Sequence, residues 1–447
     1  MHSTRILASY VSGLHAKHLP SNARMAALNC VLDLLTAGVA GFHTPGAEGT
    51  RRVALQLYSN GRAAIWFSGQ AMTAAGAVLC NSTAASALDL DDGNRAARGH
   101  PGAAVIPAAL AVAAEVAASA EEFITAIVAG YEIGVRVAAA RNAANAISRQ
   151  SGCWSGYAAV ATAACLRKTA PECLSHAFAI AGVTAPNQEA NGSSGYSRLT
   201  GNDVKEGIPW SSAAGITALH LAEAGLTGPE DILDHESHFS GKHLLEGLGQ
   251  HPLIGSTYFK PYSCCRYNHS AIDAFTSLMS RHRLSPNEIV SVDVHNFGWA
   301  LKLGNTAEPR NLIDVQYSIP YCIGVAAIMG VEALLPVATD GLNRPDVSAF
   351  AHKVVLHTDA ELDARFPDET LACVIITTSN GKFESPITTP RGESTNPMSQ
   401  EDLRAKFLTA TRNVLREEQQ QAMLDSVDRL VDGDLNPLLR ILAAPLA

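Results

Sequence analysis

Apolar residues recur at three- and four-residue spacing through most of the first 250 positions of the chain. That spacing lines one face of a 3.6-residue helix. It predicts helices over Asn22–Gly41, Ala74–Leu88, Ala103–Ala118, Glu121–Ala140, Tyr157–Leu166, Ser175–Val183 and Ala213–Ala224. Alanine dominates these faces, and because it is the best helix former and keeps helix surfaces low, a densely packed bundle is expected. Val53–Tyr58 alternates weakly instead and reads as a brief hairpin strand. The pattern changes after Lys260. One more helix is predicted over Ser270–Leu284, but Ile289–His295 alternates with the period of a half-buried strand, as do Val354–His357 and Cys373–Thr378. Asn380-Gly381 predicts a type I′ hairpin, whose two central residues both need positive φ. Pro397, Gln400 and Glu401 open a last helical stretch, Leu403–Leu415, with further helix to the end. The fold class is therefore mainly α: an all-α domain, an inserted or following α+β domain, and a C-terminal helical return.

With 447 residues the chain is long enough for two domains with sizeable cores. Only 17% of residues are charged against 47% hydrophobic, which points to much buried surface within the chain or in an oligomer. The net charge of −9 is spread along the sequence without a basic run, which argues against a nucleic-acid partner. The apolar stretches are expected to break before the roughly 18 residues a membrane span needs, and the N-terminus does not read as a signal peptide. Nine scattered cysteines do not form a disulfide framework, so a reduced, cytoplasmic protein is expected.

The chemistry-bearing stretch is the acidic run Asp89-Leu90-Asp91-Asp92 followed by His100-Pro101-Gly102. Two apolar helical segments flank it, so a polar loop is delivered toward the interior, where carboxylates are rare unless paired or used. The plain alternative is a solvated loop with a capping Asp. Elsewhere no Gly-x-Gly-x-x-Gly fingerprint, phosphate-binding Gly-Lys-Ser/Thr loop or Gly-x-Ser-x-Gly elbow occurs. Asp234-His235-Glu236-Ser237-His238, with His243 nearby, departs from metal-site spacing and reads as a solvated loop. The expected chemistry is thus acid–base work without a cofactor or metal.

Lysines are scarce, and two keep unusual company. Lys205 precedes an apolar helix, and Lys260 lies in Tyr258-Phe259-Lys260-Pro261-Tyr262, where the texture switches. A desolvated lysine loses proton affinity and can act as acid or base, whereas a snorkelling lysine keeps its head in water. His269, Arg149 and Tyr321 are ambiguous when taken singly.

Taken together these segments resemble the MmgE/PrpD superfamily over almost the whole chain. The resemblance rests on Asp89-Leu90-Asp91-Asp92…His100-Pro101-Gly102…Ile106-Pro107-Ala108-Ala109, Tyr131-Glu132-Ile133, Lys205, Phe259-Lys260-Pro261-Tyr262…His269-Ser270-Ala271-Ile272-Asp273, Tyr317-Ser318-Ile319-Pro320-Tyr321 and Asn396-Pro397-Met398-Ser399. It implies a large all-α domain formed by both chain ends (1–265 and 396–447), a smaller α+β domain (266–395), a cleft between them and a homodimer. Members include 2-methylcitrate dehydratase, cis-aconitate decarboxylase and iminodisuccinate epimerase, which handle small polycarboxylates without a cofactor. The active-site set it implies is Asp89, His100, Lys205, Lys260 and Tyr321, with His269 beside them. Asp89, His100, Lys260 and Tyr321 are expected to be catalytic and Lys205 and His269 to bind substrate, with Arg149 expected to bind it as well.

Two departures from the family pattern bear on the activity. Arg149 stands where the decarboxylase and dehydratase pattern carries a histidine. Gly93 stands where the decarboxylase pattern has threonine, in a loop one residue longer. Arginine does not transfer protons near neutral pH but clamps carboxylates bidentately. The expectation is therefore an epimerase of iminodisuccinate or a similar amino-polycarboxylate, acting by Cα proton abstraction and return to the opposite face. A lyase of the dehydratase or decarboxylase kind is the alternative, and a non-catalytic carboxylate binder is a third reading.

Overall fold

A computed structural model describes residues 1–58, 60–142, 150–186, 203–337, 342 and 344–446, and the statements below concern these. Two large hydrophobic cores organise them, and a third, small cluster gathers Ala37, Leu88, Leu90 and Ala410. The larger draws on residues 7–259 and again on 398–442, so both chain ends build one helical body. The smaller draws on residues 264–376 and is a mixed α+β body. The fold is mainly α with this smaller α+β portion.

The helical body forms as the alanine pattern predicts, because small faces permit close packing. Ala120–Ala140 lies against Gly152–Arg167, and a Cβ placed on Gly130 would sit 2.0 Å from Thr162 Oγ1. A glycine at that crossing is what lets the two helices come so near. Ser119 caps the first of them in a capping box with Glu122. Ser21–Ala40 and Ala120–Ala140 are both long and apolar enough to cross a membrane by length and composition, which corrects the expectation that every apolar stretch is broken sooner. Their most apolar windows are 72% and 89% buried inside the protein, so this apolar surface is spent on neighbouring helices. The C-terminal return begins at Ser399, which caps Gln400–Thr411 in a second capping box with Asp402. That helix packs against Ser21–Ala40.

Val53–Tyr58 is not a hairpin strand. Pro45–Leu57 is a helix with proline in its first turn, and its buried positions are Ala47 and Ala54. The weak alternation arises because Val53, Leu55 and Leu57 are 50%, 46% and 69% exposed, so the apolar side chains do not mark the inner face. The hairpin follows instead, pairing Ala63–Ile65 with Gln70–Met72.

The smaller body holds a four-stranded sheet in the order Val354–Thr358, Ile289–Asn296, Ala372–Thr378, Gly381–Glu384. The first pair is parallel and the other two are antiparallel. Arg266–His282 covers one face through Ala271, Ile272, Phe275 and Leu278, in contact with Ala372–Thr378. The predicted hairpin is present, but its turn is not type I′. Thr378 pairs with Gly381, so the loop is Ser379-Asn380; positive φ (143°) falls on Gly381, inside the pairing, and on neither loop residue.

Candidate active site

The site lies where the two cores meet. Ala74–Ser86 ends just before Asp89, whose φ of 51° turns the chain back into the protein. An L-residue with a side chain pays about 1 kcal/mol or more for that conformation, which Asp tolerates better than most. Asp92 then anchors the loop. It accepts hydrogen bonds from Gly102 N (2.9 Å) at the start of Gly102–Val116 and from the Tyr131 hydroxyl on Ala120–Ala140. A short antiparallel pairing of Gly93-Asn94 with Thr257-Tyr258 lays this loop beside the segment that carries Lys260.

Asp89 Oδ1 is the focus. Lys260 Nζ lies 2.5 Å from it and Lys205 Nζ 3.0 Å from it, and all three side chains are buried. Burial alone would push the Asp89 carboxyl up; Lys205, Lys260 and His100 outweigh it and hold the group far below the usual carboxylate range. Burial would likewise lower Lys205, yet Asp89, Tyr317 and Glu206 keep it well above the ordinary lysine value. Lys205 also donates to the Tyr317 hydroxyl at 2.5 Å.

His100 completes the cluster. Its Nδ1 is 2.8 Å from the Asp92 carbonyl, which only accepts, so Nδ1 carries a hydrogen and Nε2 is the nitrogen turned toward Asp89 and Glu206. Nε2 is 3.7 Å from Asp89 Oδ1 and 4.0 Å from Glu206 Oε1. Lys260 Nζ approaches the other side of the ring, 3.5 Å from Nδ1. Asp91 Oδ2 is 3.7 Å from Nδ1, and neither oxygen of this buried carboxylate accepts a hydrogen bond from a described residue.

Four of the residues expected from the sequence thus converge: Asp89, His100, Lys205 and Lys260. Two others stand apart, and a third is not among the described residues. Arg149 lies outside the described residues. Tyr321 lies away from the cluster. It sits inside the apolar helix Ile319–Ile328, in the smaller core, with its hydroxyl against the Arg344 backbone. Tyr317, four residues earlier and between two short helices, takes the place in the cluster. His269 also lies outside the cluster: both ring nitrogens are committed, Nε2 to the Cys264 carbonyl (3.1 Å) and Nδ1 to Arg266 Nη1 (3.1 Å). Burial, Arg266 and Lys260 hold it well below the ordinary histidine range, which favours the neutral ring. Glu206 was not foreseen. It follows Lys205 in a turn with φ of 52°, next to Gly207 at 68°, ahead of Ile208–Glu223.

Asp89, Asp91 and His100 could together offer three donor atoms to a metal ion. Two ammonium groups already occupy Asp89 Oδ1, and a third cation there would face direct repulsion. The Asp234 segment is the exposed turn expected: Asp234 pairs with His2 Nδ1 at 2.7 Å. Among the described residues no cysteine forms a disulfide.

A helical body joined to an α+β body, with buried lysines, a carboxylate and a histidine clustered between them, defines a protein equipped for acid–base chemistry. The chain belongs to the MmgE/PrpD family: residues 5–246 match the MmgE/PrpD N-terminal domain and residues 262–431 match the MmgE/PrpD C-terminal domain. The second match runs through Gln400–Thr411 and Glu417–Val431, helices whose buried residues join the larger core. Relatives include cis-aconitate decarboxylases from Aspergillus terreus (24% identical, covering 99% of this chain and 96% of that one) and Mus musculus (25%, 99% and 93%). The Homo sapiens cis-aconitate decarboxylase is similar at 25% identity, over 99% of this chain and 95% of its own.

Proposed function

We propose that this protein is an enzyme that makes and breaks a C–H bond beside a carboxylate in a small polycarboxylate. His100 carries the proton, while Lys205 and Lys260 hold the charge. The observation that carries this reading is the geometry of His100: Nδ1 is tied to the Asp92 carbonyl, and Nε2 faces a cluster holding two buried ammonium groups. A carbanion next to an ionised carboxylate concentrates negative charge, and preorganised cations in a buried site lower that barrier most. Histidine is the side chain most often used to carry a proton to or from a reacting group.

The names of the relatives favour a lyase of the cis-aconitate decarboxylase kind. A C–C bond to one carboxylate breaks, CO₂ leaves, and the electron pair stays on the substrate carbon. The lysines hold that charge until the His100 imidazolium returns a proton to carbon. A second reading, epimerisation of iminodisuccinate or a similar amino-polycarboxylate, draws on a specific observation. Two proton carriers, His100 and the Lys205–Tyr317 pair, reach Asp89 from different chain segments, and removal and return on opposite faces needs two. The Arg149 departure favours the same reading.

Proton NMR in D₂O with cis-aconitate, 2-methylcitrate and stereochemically pure iminodisuccinate separates these. Loss of CO₂ or of water supports the lyase. Deuterium at Cα with new stereoisomers supports the epimerase. Binding without any turnover, unchanged by His100→Ala, overturns the enzymatic reading.

A further inference from the structure

Among the described residues four charged groups surround the His100 ring, but they are not equivalent. Asp89 shares its charge with Lys205 and Lys260. Asp91 faces Nδ1, whose hydrogen is given to the Asp92 carbonyl. Lys260 also approaches Nδ1. Of these four, Glu206 combines a position opposite Nε2 with a latch of Ser151 hydrogen bonds that fixes it there.

The latch is Ser151, at the start of Gly152–Arg167. Its N–H (3.0 Å) and its hydroxyl (2.7 Å) both donate to Glu206 Oε2, which leaves Oε1 turned to Nε2. The same Ser151 Oγ accepts a hydrogen bond from the His100 backbone N–H at 3.2 Å. A closed circuit results: His100 backbone to Ser151, Ser151 to Glu206, Glu206 back toward the His100 ring. The Glu206 side chain is only 13% exposed, and its own backbone is held in the left-handed region while its carbonyl accepts from Gly152 N at 2.9 Å. Strain of that kind persists where surrounding contacts over-determine it, and such positions cluster at functional sites.

We propose that Glu206 is the positioning residue that governs the proton on His100 Nε2, facing the imidazolium as it forms and aiming the ring at substrate. The inference rests on the reading of His100 as the proton carrier. Burial would push Glu206 up, but His100, Lys205 and the Ser151 hydrogen bonds outweigh it and hold the carboxyl below its usual range. It therefore stays ionised when the ring gains charge. Whenever Nε2 holds a proton, whether taken from a substrate carbon or waiting to be returned to one, Asp89 is already matched by two lysines, and Glu206 supplies the negative charge that faces the imidazolium.

The experiment reads His100 without substrate, so it stands whatever the reaction proves to be. The Cε1–H signal of His100, assigned with His100→Ala, is titrated by NMR in the wild-type protein and in Glu206→Gln. Glutamine keeps an acceptor for Ser151 and removes the charge. The titration midpoint is expected about one unit lower in Glu206→Gln. Glu206→Asp, which keeps the charge on a shorter arm, is expected to recover part of that move. The acid limb of the kcat profile is expected to follow. An unchanged midpoint in folded Glu206→Gln overturns the proposal. Should that variant fail to fold, Ser151→Ala releases the latch: a smaller downward move supports the proposal and an unchanged midpoint overturns it.

Discussion

Lys260 donates to Asp89 twice, to Oδ1 at 2.5 Å and to the backbone carbonyl at 3.0 Å. One ammonium group therefore fixes both the carboxylate and the left-handed turn that presents it. The lysine comes from the junction with the smaller body and the aspartate from a helix end in the larger one, so a single contact ties the site to the packing of both cores.

That contact predicts the behaviour of Asp89→Asn. Asparagine tolerates a φ of 51° and still accepts a hydrogen bond from Lys260, so backbone and shape are kept and only the charge goes. Two buried ammonium groups are left without their counter-ion. Breaking a buried pair in this way costs about 3–5 kcal/mol. The expected result is a lower unfolding midpoint together with turnover reduced at least about a hundredfold. An Asp89→Asn protein that melts with the wild type would show that the lysines do not depend on this charge.

Asp92 predicts a stability that falls as pH rises. Burial first, then Asp33 and Asp91, push its carboxyl up to about 7, against hydrogen bonds from Tyr131 and Gly102 that pull it down. A group raised in the folded state binds its proton more tightly there than in the unfolded chain. Its stabilising contribution is complete below about pH 4 and is lost as pH climbs toward 7. Asp89, held low, works in the other direction: its contribution is present above about pH 4 and is lost only in stronger acid. Between pH 5 and 8 the Asp92 effect should dominate this pair. Urea midpoints measured at those two values should drop less in Asp92→Asn than in the wild type. Parallel drops would assign the pH dependence elsewhere.

Much of the site was legible because polar residues set into apolar stretches are costly and therefore informative. Asp89, His100, Lys205 and Lys260 all announce themselves that way. Tyr317 and Tyr321 show the limit. Both lie in one short segment, but Ser318 caps the helix that follows, which carries Tyr321 into the core and leaves Tyr317 at the corner facing Lys205. Periodicity gives a helix its inner face; it does not say which residue at a corner faces another body. Glu206 was missed for a related reason, since its role depends on two consecutive left-handed residues and on Ser151, 55 positions away. The two-core architecture was easier to read, because the change from helical to alternating period after Lys260 is spread over many residues.

Gly93 carries the last prediction. A threonine was the residue expected here from the decarboxylase pattern, and the reason for glycine is Tyr258. A Cβ on Gly93 would lie 2.3 Å from both Cζ and the hydroxyl of that ring. The ring has little room to yield. Arg95 and Arg266 stack on it at 5.5 and 4.7 Å, and Glu393 bridges the two guanidinium groups at 2.6 and 2.7 Å. Gly93→Thr should therefore overpack the site and lower stability by about 1–3 kcal/mol. Tyr258→Ala alone should also destabilise, by leaving a cavity. Combined, each change relieves the other's defect, so the double variant should be more stable than the sum of the two losses predicts. Strict additivity in that cycle would show that the Tyr258 ring is not what reserves position 93 for glycine.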